Sequence, residues 1–64
     1  MTVYLVFCCY YWDSNEFDAA FLSKESARKH IETNYKDMVK VNESRWDFGN
    51  SNDYVIIHEC EARP

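Results

Sequence analysis

The ten-residue stretch 3–12, VYLVFCCYYW, constrains the fold more than any other part of the chain. It holds only aliphatic, aromatic and cysteine residues, with no glycine or proline, and this composition predicts a β-strand. It is too short to cross a bilayer as a helix, which takes about 20 residues. Successive side chains of a strand point to opposite faces, so both faces of this strand are apolar. A strand with one solvated face would alternate apolar and polar residues, and we therefore predict a central strand.

The two faces of this strand differ in aromatic content. One face carries Val3, Leu5, Phe7, Cys9 and Tyr11, and the other carries Tyr4, Val6, Cys8, Tyr10 and Trp12. A single helix packed on the sheet covers one face only. The other face must be covered by something else or serve as a contact surface.

The size and composition of the chain predict one small domain, 1–64, in the cytoplasm. A domain of 64 residues is marginally stable by itself, and the 17% aromatic content helps to fill its core. The N-terminus shows no secretory signal, so we expect the three cysteines to be free thiols in a reducing compartment. For a phage-encoded protein that compartment would be the host cytoplasm.

The charge distribution disfavours nucleic acid as a partner, and nothing indicates a membrane partner. Residues 24–40 hold five basic and three acidic side chains, whereas the rest of the chain is acidic and the total net charge is −4. Phosphate backbones are bound by clustered lysine and arginine, which the predicted sheet lacks.

The remaining elements follow from turn, cap and periodicity signals. Asp13, Ser14 and Asn15 form a turn, and 16–22 is a second strand. Ser23 is the predicted N-cap of a helix whose apolar stripe recurs at helical spacing and consists of Ala27, Ile31, Asn34, Tyr35 and Met38. The last strand is 53–62, and 44–48 is a candidate extra strand that pairs with it.

These elements predict an α/β (α+β) fold with two layers. A right-handed crossover gives a β-β-α-β arrangement with strand order 2-1-3, one helix on one face and a possible short fourth strand at 44–48. The most apolar strand then lies in the middle of an antiparallel or mixed sheet.

Several segments resemble small uncharacterised β-β-α-β domains of bacteria and their phages. The resemblance is carried by VYLVFCCYYW, by AAFLSKESARKHI with a phenylalanine shortly before the S-K-E-x-A helix start, and by the closing YVIIHECEA. It implies the fold and assigns no functional residue. Compact acidic proteins of this size are also typical of phage-encoded inhibitors of host or defence proteins, such as anti-CRISPR proteins, by analogy of size and composition.

The cysteines and histidines are weak candidates for a metal or thiol site. Cys8, Cys9, His58 and Cys60 come from strands predicted to be neighbours, but adjacent cysteines point to opposite faces, which leaves three ligands. A disulfide from Cys60 to Cys8 or Cys9 is a further option on adjacent strands. Catalysis by a thiol needs a base and a cleft, so we expect no enzymatic activity and no cofactor.

The candidate partner-binding residues form an aromatic patch and an acidic rim. They are Tyr4, Val6, Tyr10, Trp12, Asp13, Glu16, Asp18 and Trp46. Tyrosine and tryptophan are enriched in protein interfaces, and the acidic rim could mimic a phosphate ladder or simply be solvated.

The sequence therefore predicts a non-enzymatic protein-binding protein, with an inhibitor of a host or defence protein as the first hypothesis. A homodimeric module that buries sheet against sheet is the alternative, and a small metal or thiol protein comes last. Residues 41–53 could instead fold over the free face, with Trp46 and Phe48 covering it.

Overall fold

A computed structural model describes residues 1–10, 15–49 and 52–62. The described residues form one helix and a five-stranded antiparallel sheet. The elements are β1 (Thr2–Cys9), β2 (Glu16–Phe21), α1 (Lys24–Asn34), β3 (Met38–Asn42), β4 (Arg45–Phe48) and β5 (Tyr54–Glu61).

The strand order is β2-β1-β5-β4-β3, and every neighbouring pair is antiparallel. The prediction that the first strand lies between the second strand and the last strand is confirmed, but the middle strand of the five is β5, and β1 is second from the edge. The candidate extra strand at 44–48 is also confirmed as β4, which pairs with β5 as expected. The expected α+β fold is therefore correct, but the sheet has five strands where three or four were predicted.

The strand missed by the sequence analysis is β3. Its first residue, Met38, fits the apolar stripe of the preceding helix, so periodicity alone assigns it there. The helix instead ends at Asn34, because Tyr35 is extended and Asp37 adopts a positive φ of 60°. This conformation, which aspartate tolerates better than most residues, turns the chain into β3.

The helix begins where its cap predicts. The Ser23 hydroxyl accepts a hydrogen bond from the Ser26 backbone N–H at 3.1 Å, and Glu25 lies in the first turn. This satisfies one of the free N–H groups at the helix start. The buried side chains of α1 are Ala27 and Ile31, four residues apart and hence on one side of the helix.

The main core lies between α1 and one face of the sheet. The helix face, as we call it, presents Tyr4, Val6, Cys8, Trp46, Val55 and Ile57 toward Ala27 and Ile31. Val6, Val55, Ala27 and Ile31 are fully buried there.

Among the described residues, no helix has the length and apolar character needed to cross a membrane.

Candidate functional site

The opposite side of the sheet forms the candidate contact surface, which we call the open face. Because β1 and β5 are paired in register, side chains directly across from each other share a face. The central part of the open face consists of Val3, Leu5, Phe7 and Cys9 on β1, opposite Cys60, His58, Ile56 and Tyr54 on β5. No described helix packs on these side chains, since α1 lies on the helix face, but Leu5, Phe7 and Ile56 are only partly exposed and Cys9 is 2% exposed.

The outer strands extend the open face at both margins. Phe17 of β2 lies opposite Phe7, and the two rings meet edge to face with centroids 5.7 Å apart. Phe17 is 55% exposed, and Val39 of β3 is 62% exposed at the far side. A shallow depression of about 250 Å³ lies between them, lined by Phe7, Asn15, Ile56 and His58. Exposed apolar side chains and a depression together are typical of a protein contact surface.

The open face is almost free of charge. Apart from the exposed His58, its acidic and basic strand residues are Arg45 and Asp47 of β4, whose side chains pair at 2.7 Å between Nε and Oδ1. The Arg45 guanidinium also stacks on the ring of Tyr54 at 4.1 Å. Both contacts turn the Arg45 charge toward its own sheet, so the face carries no net charge.

The glutamates of β2 and β5 lie on the other side of the sheet. Glu59 and Glu61 pair with Tyr4 and Thr2, and Glu16 pairs with Cys8, which places all three on the side of the helix face. Glu61 accepts hydrogen bonds from the N-terminal ammonium at 2.6 Å and from Thr2 at 3.0 Å, and these bonds lower its pKa.

The structure corrects which face is free. Tyr4, Val6 and Trp46 were predicted to form the uncovered patch, yet Val6 is fully buried and Trp46 is 3% exposed in the helix-side core. Tyr4 packs against the same core. These side chains hold the fold together. The helix α1 packs on the face with Val6 and Cys8, so the face without a described helix is the one with Leu5 and Phe7, whose side chains are partly exposed.

The predicted acidic rim also differs from what the structure shows. Trp12 and Asp13 lie outside the described residues. Glu16 is exposed, and Tyr10 is 38% exposed beside it at the end of β1. Asp18 is exposed, but its carboxylate turns toward α1 and contacts His30 and Tyr35 there.

Asp18 belongs to a polar network at the margin of the helix face. Its Oδ2 accepts from the Tyr35 hydroxyl at 2.7 Å and contacts His30 Nε2 at 2.7 Å. The Cys8 thiol donates to the Tyr35 hydroxyl at 3.0 Å. Asn34 Nδ2 donates to the His30 carbonyl and lies 3.1 Å from His30 Nδ1. These contacts connect β1, β2, the helix and the residue after it.

The network stabilises the ionised form of Asp18 and the protonated form of Tyr35. Partial burial acts to raise the pKa of Asp18, but the hydrogen bonds from Tyr35 and His30 outweigh it and the pKa is lowered. Burial, together with the bonds to Cys8 and Asp18, raises the pKa of Tyr35 and keeps the phenol protonated. The two ring nitrogens of His30 contact Asp18 and Asn34.

The weak metal candidates are held apart by the sheet. Cys8 faces the helix, whereas Cys9, His58 and Cys60 lie on the open face. Cys9 is opposite Tyr54 and Cys60 is opposite Val3, so six residues of strand, about 20 Å, separate the two thiols. No group of three potential ligands that could hold a metal occurs in the described parts of the chain. Cys8, Cys9 and Cys60 are free thiols, as expected, and the alternative of a disulfide from Cys60 to Cys8 or Cys9 is not formed.

The sequence analysis missed the open-face residues Leu5, Phe7, Phe17 and Ile56 as contact candidates. A signal for them was present, because Phe7 and Phe17 can form an aromatic cross-strand pair within one hairpin. The Asp18–His30 contact spans two elements and has no local signal apart from the His30–Asn34 spacing of four residues.

Comparison with known proteins places the chain in a family. The model of the family described as "Domain of unknown function (DUF7336)" matches residues 1–63. No curated protein and no solved structure matches the chain.

Proposed function

The chain belongs to the DUF7336 family, and we propose that it works as a non-enzymatic module that binds another protein through the open face of its sheet. The observation that carries this proposal is that, among the residues the structure describes, no helix packs on the open face. Leu5, Phe7 and Ile56 stand on the interior strands β1 and β5, where a small sheet normally receives a second layer.

The neutrality of the open face supports a protein partner over a charged ligand. Its single strand-borne ion pair, Arg45–Asp47, is internally satisfied. A polyanion would meet no concentration of positive charge there, and a cationic partner would meet no concentration of negative charge. An apolar protein surface with a protruding side chain fits the depression beside Phe7 and Ile56.

Two finer parts of the sequence-based prediction stay as proposals. One is that the partner is a host or defence protein inhibited by a phage-encoded chain, which rests on the small size and the net charge of −4. The other is a cytoplasmic location, which the three free thiols support. Self-association is the second candidate function, favoured by the neutral face, which a second copy can meet without like-charge repulsion.

The test is affinity capture of a partner protein from a cell lysate. Three forms of the chain are immobilised in parallel: wild type, Phe17→Glu and Leu22→Glu. Phe17 and Leu22 are both exposed apolar residues, but Leu22 lies beyond the sheet, next to the helix cap. We expect the wild type and Leu22→Glu to retain the same protein, and Phe17→Glu to lose it, since a carboxylate would be buried against an apolar surface. Equal retention by all three would contradict the proposal.

A further inference from the structure

We infer that the occupant of the open face is a second copy of this chain, so that two sheets pack face to face. The inference rests on the proposed function, because it uses the same surface, and it names the partner. The argument combines the charge distribution of the sheet, the condition of its two edges and the size of the face.

Charge segregation permits self-association through this face alone. Each chain carries a net charge of −4, which opposes the approach of two copies. The acidic residues of β2 and β5, including Glu59 and Glu61, lie on the side of the helix face. The open face holds Arg45 and Asp47 as a neutral pair, so two open faces meet without opposing like charges.

The sheet edges are poorly suited to pairing with a second sheet. A bulge interrupts β2, where Phe7 pairs with Phe17 and Val6 with Ala19, so that Asp18 is the extra residue. A second bulge interrupts β3, where Val41 is extra. Bulges on edge strands hinder the addition of another strand. Association through the face is therefore favoured over extension of the sheet.

The size of the face suits a partner that covers all of it. Each strand residue occupies about 3.3 Å along the strand and about 4.8 Å across it, so the five strands cover about 500 Å². Two copies would bury about 1,000 Å² in total, the lower limit for a specific interface. A second copy has a face of the same extent and twist, and sheets of equal twist pack with strands about 30° apart. The expected product is a weak dimer that forms with increasing concentration.

The experiment is sedimentation velocity of the full chain over a range of concentrations, with variants at both margins of the open face. Phe17→Glu and Val39→Glu are the test variants, because both residues are exposed and their substitution spares the core. Leu22→Glu is the matched control at 71% exposure outside the sheet. Circular dichroism of each variant confirms that it is folded.

We expect the wild type and Leu22→Glu to dimerise with similar dissociation constants. Each test variant should raise the constant by about a hundredfold, since the substitution occurs twice in a symmetric dimer and each costs about tenfold. A wild type that stays monomeric at every concentration, or a dimer that both test variants leave intact, overturns the inference. A monomeric chain that still captures another protein through Phe17 would refute the dimer and leave the proposed function standing.

Discussion

Replacing Tyr35 with phenylalanine tests whether the polar network holds the helix side of the domain together. The substitution keeps the ring, with its edge contacts to His30 and Phe48 at 6.4 and 6.1 Å between centroids. It removes the hydroxyl that donates to Asp18 at 2.7 Å and accepts from Cys8 at 3.0 Å. The effect therefore reports on hydrogen bonding more than on packing.

The expected cost follows from the charge on Asp18. A hydrogen bond to a charged group contributes about 1.5–3 kcal/mol, and a domain of this length has a total stability of about 3–10 kcal/mol. Loss of about 2 kcal/mol should lower the melting temperature by about 10 °C. Thermal unfolding followed by circular dichroism measures this shift.

The stability lost in Tyr35→Phe should become smaller at acid pH. The pKa of Asp18 is lowered in the folded state, so its ionised form stabilises the fold above the unfolded value of about 3.9. That stabilisation is lost as the pH falls through the lower, folded pKa. The difference in unfolding free energy between wild type and Tyr35→Phe should be full at pH 7 and shrink below about pH 4.

A double-mutant cycle with Asp18→Asn provides the control. At neutral pH the two single substitutions should be non-additive, with a coupling energy above about 1 kcal/mol. An equal cost of Tyr35→Phe at neutral and acid pH, or additivity of the two substitutions, would show that the contact contributes nothing to stability.

Three further substitutions or probes test other parts of the structure. Ile31→Ala should lower the unfolding free energy by about 2–5 kcal/mol, because Ile31 is fully buried between the helix and the sheet. Ile31→Val should lower it by about 1 kcal/mol. Urea denaturation measures both values, and smaller losses would indicate a loosely packed core. Ser23→Ala should cost about 1 kcal/mol through loss of the helix cap, while Ser23→Gly should cost only a few tenths; similar losses for both would argue against the side-chain cap. Alkylation followed by mass spectrometry should label Cys60 before Cys9, because Cys9 is 2% exposed and burial raises the pKa of its thiol. Faster labelling of Cys9 would contradict its buried position in the sheet.

Much of the architecture could be predicted because its signals are local. The unbroken apolar composition of 3–12 placed β1 between β2 and the last strand, and Ser23 located the start of α1. The end of α1 could not be predicted equally well. Met38 continues the helical spacing, and the positive φ of Asp37 depends on how the following hairpin joins the sheet.

The contact surface stays a prediction, and the structure changes which residues compose it. Trp46 has the composition of an interface residue, but β4 places it opposite Val55, where it fills the core. Aromatic residues suit cores and interfaces equally, so residue type alone cannot separate the two roles.

The amino-acid sequence by itself determined that β1 has two apolar faces and that a single helix follows the first hairpin. Only the tertiary structure decided that α1 covers Val6 and Cys8 and leaves Leu5 and Phe7 open. The physical reason is that side-chain alternation along a strand defines two faces but does not determine which of them the helix packs on. The side on which the helix lies is set by the register of β1 with its neighbours, including the bulge at Asp18, and by the direction of the crossover.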